Sequence, residues 1–249
     1  MIWTIAQREL RSLFVSRLAW VVLAVLQFVL AYVFLIFVDN YVQSQAQIAG
    51  LPDAPGVTLL VVSQSMASCA FVLMLVVPIL TMRLISDERR NRTLGLLLSA
   101  PLSMTEIVLG KYLGIMLYLM LIVAMLTLMP LTLLLGTSLD GGLLAANILG
   151  TVLLLACFAA AGVFMSAMTD QPPIAAISTF GMLFLLWILD WAAPVAENDT
   201  INVLAVLSMQ RHYQNFLRGV ISTEDLAYFV LFIILFLGLA IRRMQMLRA

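Results

Sequence analysis

Long apolar runs separated by short polar breaks make up most of this chain. Six runs are long enough to span a bilayer: residues 18–38, 58–82, 107–135, 143–168, 174–191 and 226–241. A hydrocarbon core of about 30 Å needs roughly 20 helical residues, and every backbone polar group inside it must be bonded within its own segment. The runs lack the period-two alternation of a lipid-facing barrel strand. The pattern therefore predicts an all-α membrane protein with six transmembrane helices in one domain spanning residues 1–249.

The breaks predict where helices start and stop. "GLPDAPG" (50–56) reads as a loop and "SLDGG" (138–142) as a tight turn. "TDQPP" (169–173) ends one helix, and Pro173 suits the first position of the next, which needs no amide donor. "SMTE" (103–106) reads as a capping box, with Ser103 covering an orphan amide, Glu106 reaching back, and Leu102 and Ile107 placed as a hydrophobic staple. "STED" (222–225) is a weaker version before the last run. The first sixteen residues, "MIWTIAQRELRSLFVS", mix apolar positions with Arg8, Glu9 and Arg11. They predict an amphipathic helix lying in the membrane interface. The same arginines, with Arg17, also orient the first span.

Composition agrees with lipid as the solvent: 63% of the 249 residues are hydrophobic and 10% are charged, against about 25% charged in a soluble domain. The apolar core at 18–38 is longer than the roughly 7–15 residues of a secretory signal, so the sequence predicts a retained helix. With the N-terminus placed in the cytoplasm, eleven of the thirteen Lys and Arg residues fall on the inner side and only Arg211 and Arg218 on the outer side. This bias sets both termini inside. The zero net charge gives no sign of a nucleic-acid partner. Cys69 and Cys157 both sit inside apolar runs and read as small core residues.

The densest charge lies between the second and third runs, in "ISDERRNRTLGLLLSAPLS" (85–103). Ser86 is placed to cap a short helix whose first turn holds Asp87 and Glu88, the favourable sign at a positive helix end. Arg89, Arg90 and Arg92 follow, then an apolar base. The residues alone leave two readings open: arginines anchored on lipid phosphates, or a charged head that docks a cytoplasmic subunit. The chain shows no engine of its own. The only lysine, Lys111, follows Gly110, but Thr105 and Tyr112 occupy the remaining fixed positions of a phosphate-binding loop. Lys111 reads instead as an interface anchor. One histidine excludes an H-E-x-x-H metalloprotease, and no G-x-S-x-G is present. No ionisable residue is expected near a bilayer midplane, which argues against an ion-coupled carrier. The faces "GKYLG" (110–114) and "AAAGVFMS" (159–166) offer close helix packing. The outer loop (192–223) is too apolar to float in water; it dips back into the membrane edge or packs on an outer partner. His212 reads as a structural residue of that loop.

Taken in order, these features resemble the permease subunit of a type-2 ABC exporter, and within it the gliding-motility-type branch. The resemblance rests on "RELRSLF" (8–14), on "PILTMRLISDERRNRTLGLLLSAPLSMTEIVLGKYL" (78–113) and on "HYQNFLRGVISTEDLAYF" (212–229). Arg92 stands where that branch usually has glycine, and Gly95 where it usually has glutamate. The resemblance implies an N-terminal interfacial helix (Arg8, Glu9, Arg11) and a cytoplasmic coupling helix, with Asp87, Glu88, Arg89, Arg92 and Thr93 contacting an ATPase subunit. It implies a short extracytoplasmic helical loop bearing His212, Tyr213, Phe216 and Arg218. It further implies ATP and magnesium held by the partner rather than by this chain, and a second permease copy or a paralogue. A large extracytoplasmic accessory subunit belongs to the same expectation. The implied activity is export of an unspecified substrate across the inner membrane, or mechanotransmission to an outer partner with nothing crossing.

Overall fold

The computed structural model describes residues 1–48, 56–91, 103–192 and 206–248. Among these residues the protein is all-helical, with no strand. The elements are α1 (Ile2–Val15), α2 (Arg17–Ile48), α3 (Gln64–Thr81, preceded by a π-helical segment Thr58–Ser63), α4 (Ser86–Arg90) and α5 (Met104–Thr132). They continue with α6 (Gly141–Met168), α7 (Pro172–Ala192), α8 (Met209–Leu217) and α9 (Thr223–Arg248). Six helices are long and apolar enough to cross a membrane. They correspond to the six runs in the sequence, and the chain is a multi-pass membrane protein. The spans alternate in direction, so α1, α4, the start of α5 and the α6–α7 turn share one end of the bundle. The starts of α3 and α6, with α8, share the opposite end.

The helices extend beyond the apolar runs. α2 continues through "DNYVQSQAQI" to Ile48 and α9 reaches Arg248. Apolarity marks a slab of solvent, whereas a helix ends only where a cap or a breaker stops it. The capping box before α5 is present: the Ser103 hydroxyl accepts from the Glu106 amide, and Glu106 Oε2 accepts from the Ser103 amide at 3.0 Å. Leu102, the other half of the expected staple, lies outside the described residues, as does the apolar base after Asn91. Three local expectations are corrected. Pro172, not Pro173, opens α7. "SLDGG" is a helix cap rather than a free turn, because Asp140 Oδ1 accepts from the amides of Gly142 and Leu143. Ser86 does not cap α4; Ile85 holds that position, and the Ser86 hydroxyl donates back to the Met82 carbonyl.

α6 is the centre of the bundle, and the residues from Leu154 to Val163 are almost all buried. Its small side chains let neighbours approach closely. A Cβ built on Gly162 would lie 2.1 Å from Thr81 Oγ1 of α3, and one built on Gly150 would lie 2.5 Å from Phe216 Cβ of α8. By contrast, α2 turns Val21, Val25, Phe28, Tyr32 and Leu35 outward. Cys69 and Cys157 are buried free thiols.

Candidate functional site

The charged knot builds the end of the bundle that carries α1. α4 has Asp87 and Glu88 in its first turn and Arg89 and Arg90 in its last, matching the helix dipole at each end. On one side of α4, Lys111 Nζ lies 2.7 Å from Glu88 Oε1 and 2.7 Å from Glu9 Oε1 of α1. Lys111 is only 2% exposed, so it is not an anchor reaching for the interface. It stands seven residues into α5, roughly 10 Å along the helix at 1.5 Å per residue. An ammonium removed from water to this degree is tolerated only when paired and hydrogen-bonded. Two carboxylates from two other elements meet that requirement.

On the other side, α4 is sewn to the end of α6. Arg89 Nη1 donates to the Ala167 carbonyl at 2.7 Å, and its Nη2 pairs with Asp170. The carbonyl belongs to the last turn of α6, where a cation meets the negative end of the helix. The Asp170 side chain is 60% exposed, so that ion pair adds little by itself. Ser166 completes the seam. Its buried hydroxyl accepts from the amides of Ile85 (3.0 Å) and Ser86 (3.1 Å) and donates to the Met82 carbonyl (2.9 Å). One side chain thereby satisfies three backbone groups at a helix break, where none could be left bare.

α1 is seated on α5 through the Gly110–Gly114 face. A Cβ on Gly110 would lie 2.6 Å from Ile5 Cβ, and one on Gly114 would lie 2.6 Å from Glu9 Cβ. Ala6 is fully buried in this seat. Phe14 packs edge-on against Tyr118, whose hydroxyl donates to the Ala19 carbonyl at 2.8 Å. Arg8 and Arg11 of α1 face outward. With Glu88 and Arg89 turned into the protein, the outward face near α4 is formed by Asp87, Arg90 and Asn91, beside Gln171 and Pro173 of the α6–α7 turn. Arg92 and Thr93 lie outside the described residues. Sequence reasoning missed Lys111 as a hub and Ser166, Ala167 and Asp170 as the seam, since each partner is remote along the chain.

At the opposite end, α8 is inserted among α3, α6, α7 and α9. Tyr213, Phe216 and Leu217 are buried. The Tyr213 hydroxyl meets Thr151 Oγ1 at 3.0 Å and donates to the Met66 carbonyl at 3.3 Å. Burial pushes its phenol pKa well above the ordinary range. With its amide turned to match its neighbours, Asn147 donates to the carbonyls of Phe216 (3.0 Å) and Leu217 (3.2 Å), closing the end of α8. Gly219, at φ +80°, takes the left-handed position after the helix, and Val220 N bonds back to Asn215 O at 2.9 Å. Asp225, 2% exposed, accepts from Asn215 Nδ2 and contacts His212 Nδ1 at 2.5 Å. His212 Nε2 faces the Val206 carbonyl at 2.9 Å and therefore carries a proton, and the ring stacks on Tyr228 at 4.2 Å. The "HYQNFLRGVISTEDLAYF" stretch is thus one helix–turn–helix knot. Arg218 is exposed at its rim.

Residues 3–246 match the family model described as ABC-2 family transporter protein. No curated protein matches the chain significantly.

Proposed function

The chain belongs to the ABC-2 family of transporter proteins, and from that premise we propose that it is the permease subunit of an ATP-driven exporter whose ATPase is a separate chain. The family is a membrane transport component that is not itself catalytic, and it implies an ABC ATPase partner in general. The observation that carries the docking site is the anchoring of α4. Its charged head is bonded to α1 and α5 through Lys111, and to α6 through Arg89 and Ser166. A push on α4 therefore reaches three other helices through short, directional bonds. In this reading α4 belongs to the coupling helix. Asp87, Arg90 and the adjoining Arg92 and Thr93 contact the ATPase, with the α6–α7 turn beside them. Glu88 and Arg89 carry the motion inward.

The Lys and Arg distribution supports placing this end in the cytoplasm and the chain in the inner membrane with both termini inside. ATP and magnesium then reside in the partner. α1 is the interfacial helix and α8 the extracytoplasmic one. The motifs support the gliding-motility-type branch, and a large extracytoplasmic subunit belongs to the same proposal. A single coupling loop per chain fits half a transporter, completed by a second copy or a paralogue, with the outward face of α2 free for lipid or that copy. Stimulation of the reconstituted ATPase by an exported substrate separates transport from mechanotransmission. The docking test is the double variant Asp87→Lys, Arg90→Glu. It should abolish copurification of the ATPase while membrane insertion persists. Unchanged copurification, or nucleotide hydrolysis by the purified chain alone, would overturn the reading.

A further inference from the structure

We propose that the cleft between α1 and the α3–α4 turn binds the headgroup of a phospholipid carrying both a phosphate and a primary ammonium. The inference rests on α1 lying at the membrane interface, not on ATPase docking. The cleft has a volume of about 290 Å³, just under the roughly 300–1,000 Å³ range of ligand sites, a size suited to a headgroup rather than a whole ligand. It is lined by Arg8 and Ser12 of α1, by Ser16 at the end of that helix, by Arg83 and Asp87, and by Lys111 with its two carboxylates.

The donor and acceptor inventory selects the chemistry. Lys111 is already engaged by Glu9 and Glu88. Among the described residues, Arg8, Arg83 and Asp87 make no ion pair, and the Ser12 and Ser16 side chains make no hydrogen bond. Two guanidinium groups and two hydroxyls thus line one cleft, a donor set suited to a phosphate, the group that guanidinium donors match best. Asp87 supplies an acceptor for an ammonium beside it. A purely anionic headgroup would leave Asp87 facing like charge, and a choline group would offer it no N–H.

The wall leading to the cleft explains why the ligand is a lipid. Phe71, Leu75 and Ile79 of α3 are 43%, 45% and 42% exposed. They recur every fourth residue, which stacks them on one face of α3, and Ile79 and Arg83, the latter in the turn just beyond the end of α3, both line the cleft. An acyl chain laid along this apolar stripe delivers its headgroup to Arg83. A soluble phosphoester has nothing to place there.

Native mass spectrometry of the full chain in detergent tests the assignment, using phosphatidylethanolamine, phosphatidylglycerol and phosphatidylcholine of matched acyl chains, with glycerophosphoethanolamine as the chain-free probe. Retention of phosphatidylethanolamine should exceed that of the other two lipids by roughly tenfold, and R83Q with R8Q should remove about that factor. D87N should level phosphatidylethanolamine with phosphatidylcholine while both still bind. I79S, which alters no charged group, should weaken all three lipids and keeps the test open if the arginine variant fails to fold. Equal retention of the three lipids, indifference to R8Q/R83Q, or equal binding of the chain-free probe would overturn the site. Loss of ATPase copurification leaves this result untouched, because lipid retention is read on the chain without its ATPase, and the R8Q/R83Q and I79S arms alter no residue of the docking test; only D87N shares a position with it.

Discussion

Lys111 of α5 lies 2.7 Å from Glu88 of α4, two residues 23 positions apart that join a membrane-spanning helix to the charged knot beside it. The same ammonium reaches Glu9, 102 positions away. A buried cation shared by three elements is a costly feature that works only while all its partners are present. Lys111→Met should therefore destabilise the detergent-solubilised chain by about 3–5 kcal/mol, the cost of breaking a buried pair by removing one partner. Thermal unfolding of K111M, E88Q and the double variant measures it. The double variant should be less damaged than the sum of the singles, since E88Q removes one of the charges that K111M strands. Additive losses would mean that the two groups do not act together.

The seat of α1 on α5 is as tight as two glycines allow. Gly114→Val places a side chain where Glu9 Cβ already sits 2.6 Å away. Overpacking of this kind costs about 1–3 kcal/mol. α1 should loosen, and trypsin should cut after Arg8 and Arg11 faster than in the wild-type chain while the span fragments stay intact. Unchanged cleavage rates would show that the seat does not hold α1.

How much of this was legible beforehand depends on how far apart the interacting residues stand. The six spans needed only local apolarity, and the Ser103–Glu106 box needed four adjacent residues. Both read directly. The seam at Ser166 could not be read, because a serine in an apolar helix looks the same whether it bonds its own turn, as Ser178 does, or the amides of Ile85 and Ser86. Lys111 was misread for the same reason, since its position near a helix start suggests snorkelling and its partners are remote. The order "HYQNFLRGVISTEDLAYF" was recognisable as a motif. Why His212, Asn215 and Asp225 share it became visible only when α8 folded back on α9.

The insertion of α8 predicts a graded response. Phe216→Ala empties a fully buried ring site against Gly150 and Phe229, so it should cost about 3–5 kcal/mol. Tyr213→Phe removes only the hydroxyl bonds to Thr151 and Met66, roughly 1 kcal/mol each. Thermal unfolding should therefore rank F216A well below Y213F. Equal midpoints would place α8 outside the packed bundle.

The two ends of the bundle should face opposite compartments. Cysteines introduced at Arg90 and at Arg218, both exposed, should label differently with a membrane-impermeant maleimide. The first should react in inside-out vesicles and the second in intact spheroplasts, while native Cys69 and Cys157 stay silent because they are buried. Labelling of both from one side would break the six-span topology.

The most direct measurement is a photo-crosslinking amino acid placed at Arg90 in the assembled complex. The account predicts an adduct with an ATP-binding subunit from position 90 and none from position 218. Adducts to such a subunit from position 218, or from neither position, would contradict it.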